Sequence, residues 1–129
     1  MHKNFVITGA VLGAIAVALG AFGAHGLKKI VSSETVQTFQ TGVQYQMYHA
    51  LALLLTGLLY EKCLQKLAKT AGILFFIGVI LFSGSLYLLT AGKAAETTAL
   101  DKAGIITPLG GLAFIGGWLF LFLAAIKSK

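Results

Sequence analysis

Four long windows free of charged side chains divide the chain. They are Asn4–Leu27, Thr35–Tyr60, Thr70–Gly92 and Ala103–Ile126, of 24, 26, 23 and 24 residues. A helix needs about 20 predominantly apolar residues to cross the hydrocarbon core of a bilayer. Lipid offers the backbone no hydrogen-bonding partner, so each window predicts a helix, whereas barrel strands would be half as long and would alternate. The windows predict a single membrane domain, 1–129, with spans at about 5–27, 35–60, 70–92 and 103–126. The connections between them are short, which forces consecutive helices antiparallel. The expected fold is all-α, an integral-membrane antiparallel four-helix bundle.

The second window is the least uniform. Ser33 is expected as its N-cap, with Glu34 favourable at the positive helix end. Gln37, Thr41, Gln44, Tyr45, Tyr48 and His49 follow, and at about 100° per residue they share one arc of about 140°. Gln46 falls outside it, about 180° from Gln37. Polar groups at membrane depth usually face a bundle interior or a cavity, so this arc predicts an interior polar cluster, and its ionisable member His49 a functional site. Against that stands a neutral His49 serving as interhelical hydrogen-bond glue. His25, in Gly23-Ala24-His25-Gly26, suits the negative end of the first helix, with Gly26 at the left-handed C′ position. Ser83, Ser85 and Tyr87 are candidate partners for the polar arc, although serines also bond their own helix backbone.

Small residues mark the packing faces. Gly9, Gly13, Ala16, Gly20 and Ala24 recur on the first helix, and Gly110, Gly111, Ala113, Gly116 and Gly117 on the last. Such spacing lets helix backbones approach closely, within the bundle or against a second copy of the chain. Pro108 sits near the start of the last helix, where its missing N–H costs least.

Composition narrows the functional classes. The chain is 57% hydrophobic and only 11% charged, so lipid is its expected partner. The net charge of +6 comes from ten lysines placed between apolar runs, not from a basic stripe with interleaved aromatics, so no nucleic-acid partner is expected. Lys3, Lys62, Lys66, Lys69, Lys127 and Lys129 fall on one side, against Lys28, Lys29, Lys93 and Lys102 on the other, which predicts cytoplasmic termini. The first apolar run exceeds a signal-peptide core of about 7–15 residues and three more follow it, so a span is expected there rather than a cleaved leader. Cys63 is a lone cysteine, no metal site is expected, and the four carboxylates, Glu34, Glu61, Glu96 and Asp101, lie outside the windows. No phosphate-binding loop, zinc-protease motif, nucleophile elbow or dinucleotide fingerprint is present.

Four segments carry a family resemblance. They are Gly20-Ala21-Phe22-Gly23-Ala24-His25-Gly26-Leu27, Thr41 through Leu51, Leu81-Phe82-Ser83-Gly84-Ser85-Leu86-Tyr87, and Thr107-Pro108-Leu109-Gly110-Gly111 continuing to Gly117-Trp118. Together they resemble the small membrane proteins of the domain of unknown function 423 family, which is similar to animal transmembrane protein 256. The resemblance implies a multi-span helical protein, in bacteria of the plasma membrane. It supplies no established reaction and no agreed catalytic residue, and leaves any cofactor unknown.

Three functions are weighed, beside an unknown membrane enzyme that would use the His and Tyr groups. The first is a non-enzymatic membrane protein whose polar cluster stabilises the bundle or holds a ligand or partner helix. The second is a haem- or quinone-binding redox protein, motivated by His25 and His49. If the second helix is straight, however, His49 lies 16 residues, about 24 Å, beyond Ser33, far in depth from His25; a bend near Gly42 would bring the two closer. The third is an oligomeric proton or small-solute transporter lined by Gln44, Tyr48, His49 and Ser83.

Overall fold

The computed structural model describes residues 1–128 and is an antiparallel bundle of four helices. The first helix, α1, covers Lys3–Ala24, and the second, α2, covers Ser33–Leu59. The third is built from α3, Gln65–Gly78, a π-helical segment at Val79–Ser83, and α4, Gly84–Ala94. The fourth, α5, covers Thr107–Ile126, with Pro108 in its first turn. Short 3₁₀ turns at Leu27–Lys29, Tyr60–Lys62 and Asp101–Ile105 complete the connections. Three helical stretches, Lys3–Lys29, Gln65–Ala94 and Asp101–Ile126, are long and apolar enough to cross a membrane.

The helix ends depart from the charge boundaries in instructive ways. Charged residues mark where hydrocarbon ends, not where backbone hydrogen bonding ends, so α3 starts at Gln65 and carries Lys66 and Lys69 in its first turns. Lysine stems tolerate this by lying along apolar surface with the ammonium outward. The N-cap of α2 is Ser32, one residue before the expected Ser33, and its Oγ accepts from the Thr35 N–H at 3.2 Å. Gly26 does not take the left-handed conformation expected of it; its φ is −65° because the chain turns directly into the 3₁₀ segment. At the end of α4 the left-handed position falls instead on Glu96, at φ 55°. The Thr97 N–H reaches Gly92 O at 3.0 Å and the Glu96 N–H reaches Lys93 O at 3.2 Å, which is a Schellman cap.

Packing is organised by glycine. Along α1, Gly9 lies against Ala50 and Leu54 of α2, and Gly20 against Val43, so the two helices run in contact over most of their length. A Cβ at Gly9 would stand 2.8 Å from the Ala50 carbonyl oxygen. On the other side, α5 rests on the third helix, with Gly117 against Phe75 and Ala71, and Gly110 against the backbone of Phe82. The helix α2 thus contacts α1, α3 and α4, while α5 packs chiefly on α3 and the π-helical segment.

This packing reverses the expected orientation of α2. Its buried residues include Val36, Phe39, Gly42, Val43, Gln46, Ala50, Leu53 and Gly57. Gln46, which sequence periodicity left outside the polar arc, is at the centre of the buried face. Gln37, Gln44, Tyr45 and Tyr48 are exposed, Thr41 is half-buried, and of the six arc residues only His49 is buried. The cause is backbone approach. The α2 face that permits close contact with α1 holds Ala50 and Gly57, which lie opposite the polar arc, while Gly42, at the edge of the arc, receives Tyr87 and Leu86 of α4.

Candidate functional site: the groove at His49

Interhelical side-chain hydrogen bonds occupy the interior. The Gln46 amide nitrogen donates to Leu12 O of α1 at 2.9 Å, and its Oε1 accepts from the Tyr87 hydroxyl of α4 at 2.7 Å. Gln46 thereby ties three helices together. Ser83, in the π-helical segment, donates to Gly42 O of α2 at 2.6 Å. Gln40 donates to Gly20 O at 3.1 Å. Ser85 donates to Phe82 O at 2.8 Å and also hydrogen-bonds the Thr107 hydroxyl at the start of α5. Among the described residues every fully buried side-chain nitrogen or oxygen has a partner.

His49 closes this set at the junction of α2 and α5. Its Nδ1 lies 2.7 Å from Tyr45 O. A carbonyl only accepts, so Nδ1 carries the proton. Its Nε2 then accepts from the Trp118 indole N–H at 3.1 Å. Both ring nitrogens are engaged, and the tautomer is fixed by the partners. The imidazole stacks on Phe114 with ring centres 3.5 Å apart and planes 8° apart. Phe75 and Trp118 flank it at 5.7 and 5.8 Å.

Above this floor a groove of about 540 Å³ opens between α2 and α5. It is lined by Tyr45, Tyr48, His49, Phe82, Gly111, Phe114, Ile115 and Trp118. A Cβ at Gly111 would meet no atom within 4 Å, so this glycine keeps the groove wide and is not needed for packing. The volume lies within the range of small-molecule sites, and the lining is mostly aromatic. Tyr45 lies tilted against Phe82, ring centres 4.6 Å apart, and leaves its hydroxyl without a protein partner among the described residues.

The remaining sequence candidates lie elsewhere. His25 is exposed at the end of α1, where its backbone N–H caps Phe22 O at 3.2 Å. Because α2 runs unbroken through Gly42, the bend that would have brought His25 toward His49 is absent. Gln37 sits near the first turn of α2, beside Lys28 and Val31. Thr41 bonds its own helix at Gln37 O, 3.0 Å away. Sequence reasoning missed three participants: Gln46, Trp118 as the partner of His49, and His2, whose Nδ1 accepts from the Phe5 N–H at 3.3 Å and caps α1. A usable signal existed for Trp118, since it lies on a resemblance segment with a polar N–H that must find an acceptor when partly buried.

Comparison with known proteins fits this picture. Residues 19–111 match the family described as protein of unknown function (DUF423). The chain is 47% identical over 127 residues to the UPF0382 membrane protein YwdK of Bacillus subtilis (strain 168), covering 97% of this chain and 98% of that one. It is 38% identical over 129 residues to a UPF0382 membrane protein of Haemophilus influenzae, covering 100% and 98%. It is 36% identical over 127 residues to the UPF0382 inner membrane protein YgdD of Escherichia coli (strain K12), covering 98% and 92%. No solved structure matches. On these similarities and its helical membrane architecture, the chain belongs to the DUF423 family of membrane proteins.

Proposed function

We propose that this is a four-span protein of the bacterial inner membrane, with both termini in the cytoplasm, that holds a lipid or prenyl chain in the groove at His49 and catalyses no turnover. The observation that carries the proposal is the groove itself, an aromatic-walled channel that opens on the flank of α2 and α5. Its walls lie near the middle of both helices, since Tyr45 and Tyr48 fall halfway along Ser33–Leu59 and Trp118 halfway along Thr107–Ile126.

That α2 is the fourth span is supported by its neighbour. It lies along α1 from Gly20 to Gly9, so the depth of α1 in lipid is also that of α2. Its 27 residues measure about 40 Å, enough to cross. The bias of lysines supports the orientation, and the name of the Escherichia coli relative supports the inner membrane.

The satisfaction of the interior polar groups supports a structural role for them. Each is spent on a helix–helix or helix–backbone bond, and a proton carrier needs a nitrogen free to accept. On His49 that nitrogen is taken by Trp118.

The chain has a single tryptophan, Trp118, so its fluorescence reports on the groove alone. In vesicles, lipids brominated at mid-chain are expected to quench it more than lipids brominated near the headgroup. Gly111→Leu, which fills the groove, is expected to reduce that quenching. Stronger quenching from near the headgroup, or quenching unchanged by Gly111→Leu, would sink the proposal.

A further inference from the structure

One outward stripe of α2 carries more polar side chains than a lipid-facing surface needs. Gln37, Thr41, Gln44, Tyr48, Leu51, Leu55 and Leu58 follow one another at spacings of four and three residues. This 4-3 alternation is the repeat of a left-handed coiled-coil seam. Thr41 is half-buried and the other six are exposed, Tyr48 at 49% and Leu51 at 58%. The amides of Gln37 and Gln44 make no hydrogen bond among the described residues.

Lipid is a poor cover for this seam. Gln44 lies about 16 Å along α2 from its start, inside the hydrocarbon if α2 spans. A primary amide left unpaired there costs several kcal/mol in an alkane-like medium. Polar groups at such depth face a protein interior, and the interior of this protomer is on the opposite side of the helix.

We propose that the seam is the interface with a second copy of this chain, a two-fold dimer in which the two α2 helices pair in parallel. The choice of a second copy rests on self-complementarity. Two copies inserted with the same topology can bring α2 against α2 only in parallel, and around a two-fold axis each seam residue then meets its own counterpart. Such a seam tolerates no charge and needs polar groups that both donate and accept. Gln37, Thr41, Gln44 and Tyr48 all do so, the three leucines pair with themselves, and the one charge the repeat reaches, Glu34, lies in the first turn of α2 at the membrane edge. The side of α2 toward Gln46 is already filled by α1 and α4, so the contact leaves the bundle's internal hydrogen bonds unchanged.

The proposal rests on α2 spanning the bilayer, and the test separates the two. In full-length protein with Cys63→Ser, single cysteines are placed at Gln44, Leu51 and Leu55, with controls at exposed Ile15 of α1 and Leu119 of α5. Oxidation in native membranes is expected to give disulfide dimers at the three seam positions and not at the controls. Gln44→Leu, which touches no internal bond, is expected to weaken dimerisation roughly five- to thirty-fold in a detergent dilution series. Cross-linking at Leu119 or Ile15 equal to that at Gln44, or none anywhere, overturns the dimer. Labelling of Gln44→Cys by a membrane-impermeant maleimide overturns the spanning of α2 and the dimer with it.

Discussion

The indole N–H of Trp118 on α5 donates to Nε2 of His49 on α2 across 3.1 Å, and this bond fixes His49 as a neutral imidazole protonated on Nδ1. It also joins the two helices that flank the groove. Hydrogen bonds between membrane helices contribute about 0.6–1.7 kcal/mol in double-mutant cycles. A cycle of Trp118→Phe, His49→Ala and the double variant, read by unfolding in mixed micelles, is expected to give a coupling energy in that range. A coupling indistinguishable from zero would show that the bond adds nothing to the bundle.

The adjacent glycines of α5 should respond oppositely to the same change. A Cβ at Gly110 would stand 2.7 Å from the Phe82 Cα, backbone that cannot give way cheaply. Gly110→Ala is expected to lose about 1–3 kcal/mol, the usual cost of overpacking. Gly111→Ala meets open space and gains helix propensity, so it is expected to be neutral or stabilising by up to about 1 kcal/mol. Thermal unfolding of both variants in detergent checks the pair; equal losses would contradict the packing described.

Glu96 holds the left-handed position of the α4 cap without being glycine. The Schellman bonds need this conformation, and a side chain there is strained by about 1 kcal/mol. Glu96→Gly is therefore expected to raise stability by a few tenths to about 1 kcal/mol, part of the relief being lost to the freer unfolded chain. A drop in the unfolding midpoint would refute this.

How far the sequence reveals the molecule depends on the kind of interaction. The number of helices follows from the charge-free windows, and their alternating direction from the short connections. The orientation of α2 does not follow from its polar arc, because Ala50 and Gly57 decide which side approaches α1. The role of Gln46 depends on Leu12 and Tyr87, residues 34 and 41 positions away, whose proximity no local pattern encodes. The π-helical segment at Val79–Ser83 is likewise invisible in periodicity, since it reflects how Phe82 and Ser83 fit against Gly110 and Gly42.

The N-terminal ammonium of Met1 pairs with the Glu61 carboxylate at 2.8 Å, tying the start of α1 to the turn after α2. Hydrogen bonding and charge attraction from the ammonium hold the Glu61 carboxyl below its ordinary range. A lowered carboxylate pKa means a contribution to stability that is present above the unfolded value, about 4.3, and lost as pH falls through the folded value. Glu61 is exposed, so the effect is small and sensitive to salt. The unfolding midpoint of Glu61→Gln is expected to lie slightly below that of the wild type at neutral pH and to merge with it in acid, once Glu61 is protonated in the folded state as well. A gap that widens on acidification would contradict the pairing.

The most direct measurement is native mass spectrometry of the full-length protein released from mild detergent, wild type beside Gly111→Leu. Occupancy of the groove predicts one discrete lipid-sized mass per protomer on the wild type, absent from the variant, whose Cβ meets no atom within 4 Å. The same heterogeneous lipid adducts on both proteins, with no discrete mass lost, would contradict a ligand-holding groove at His49.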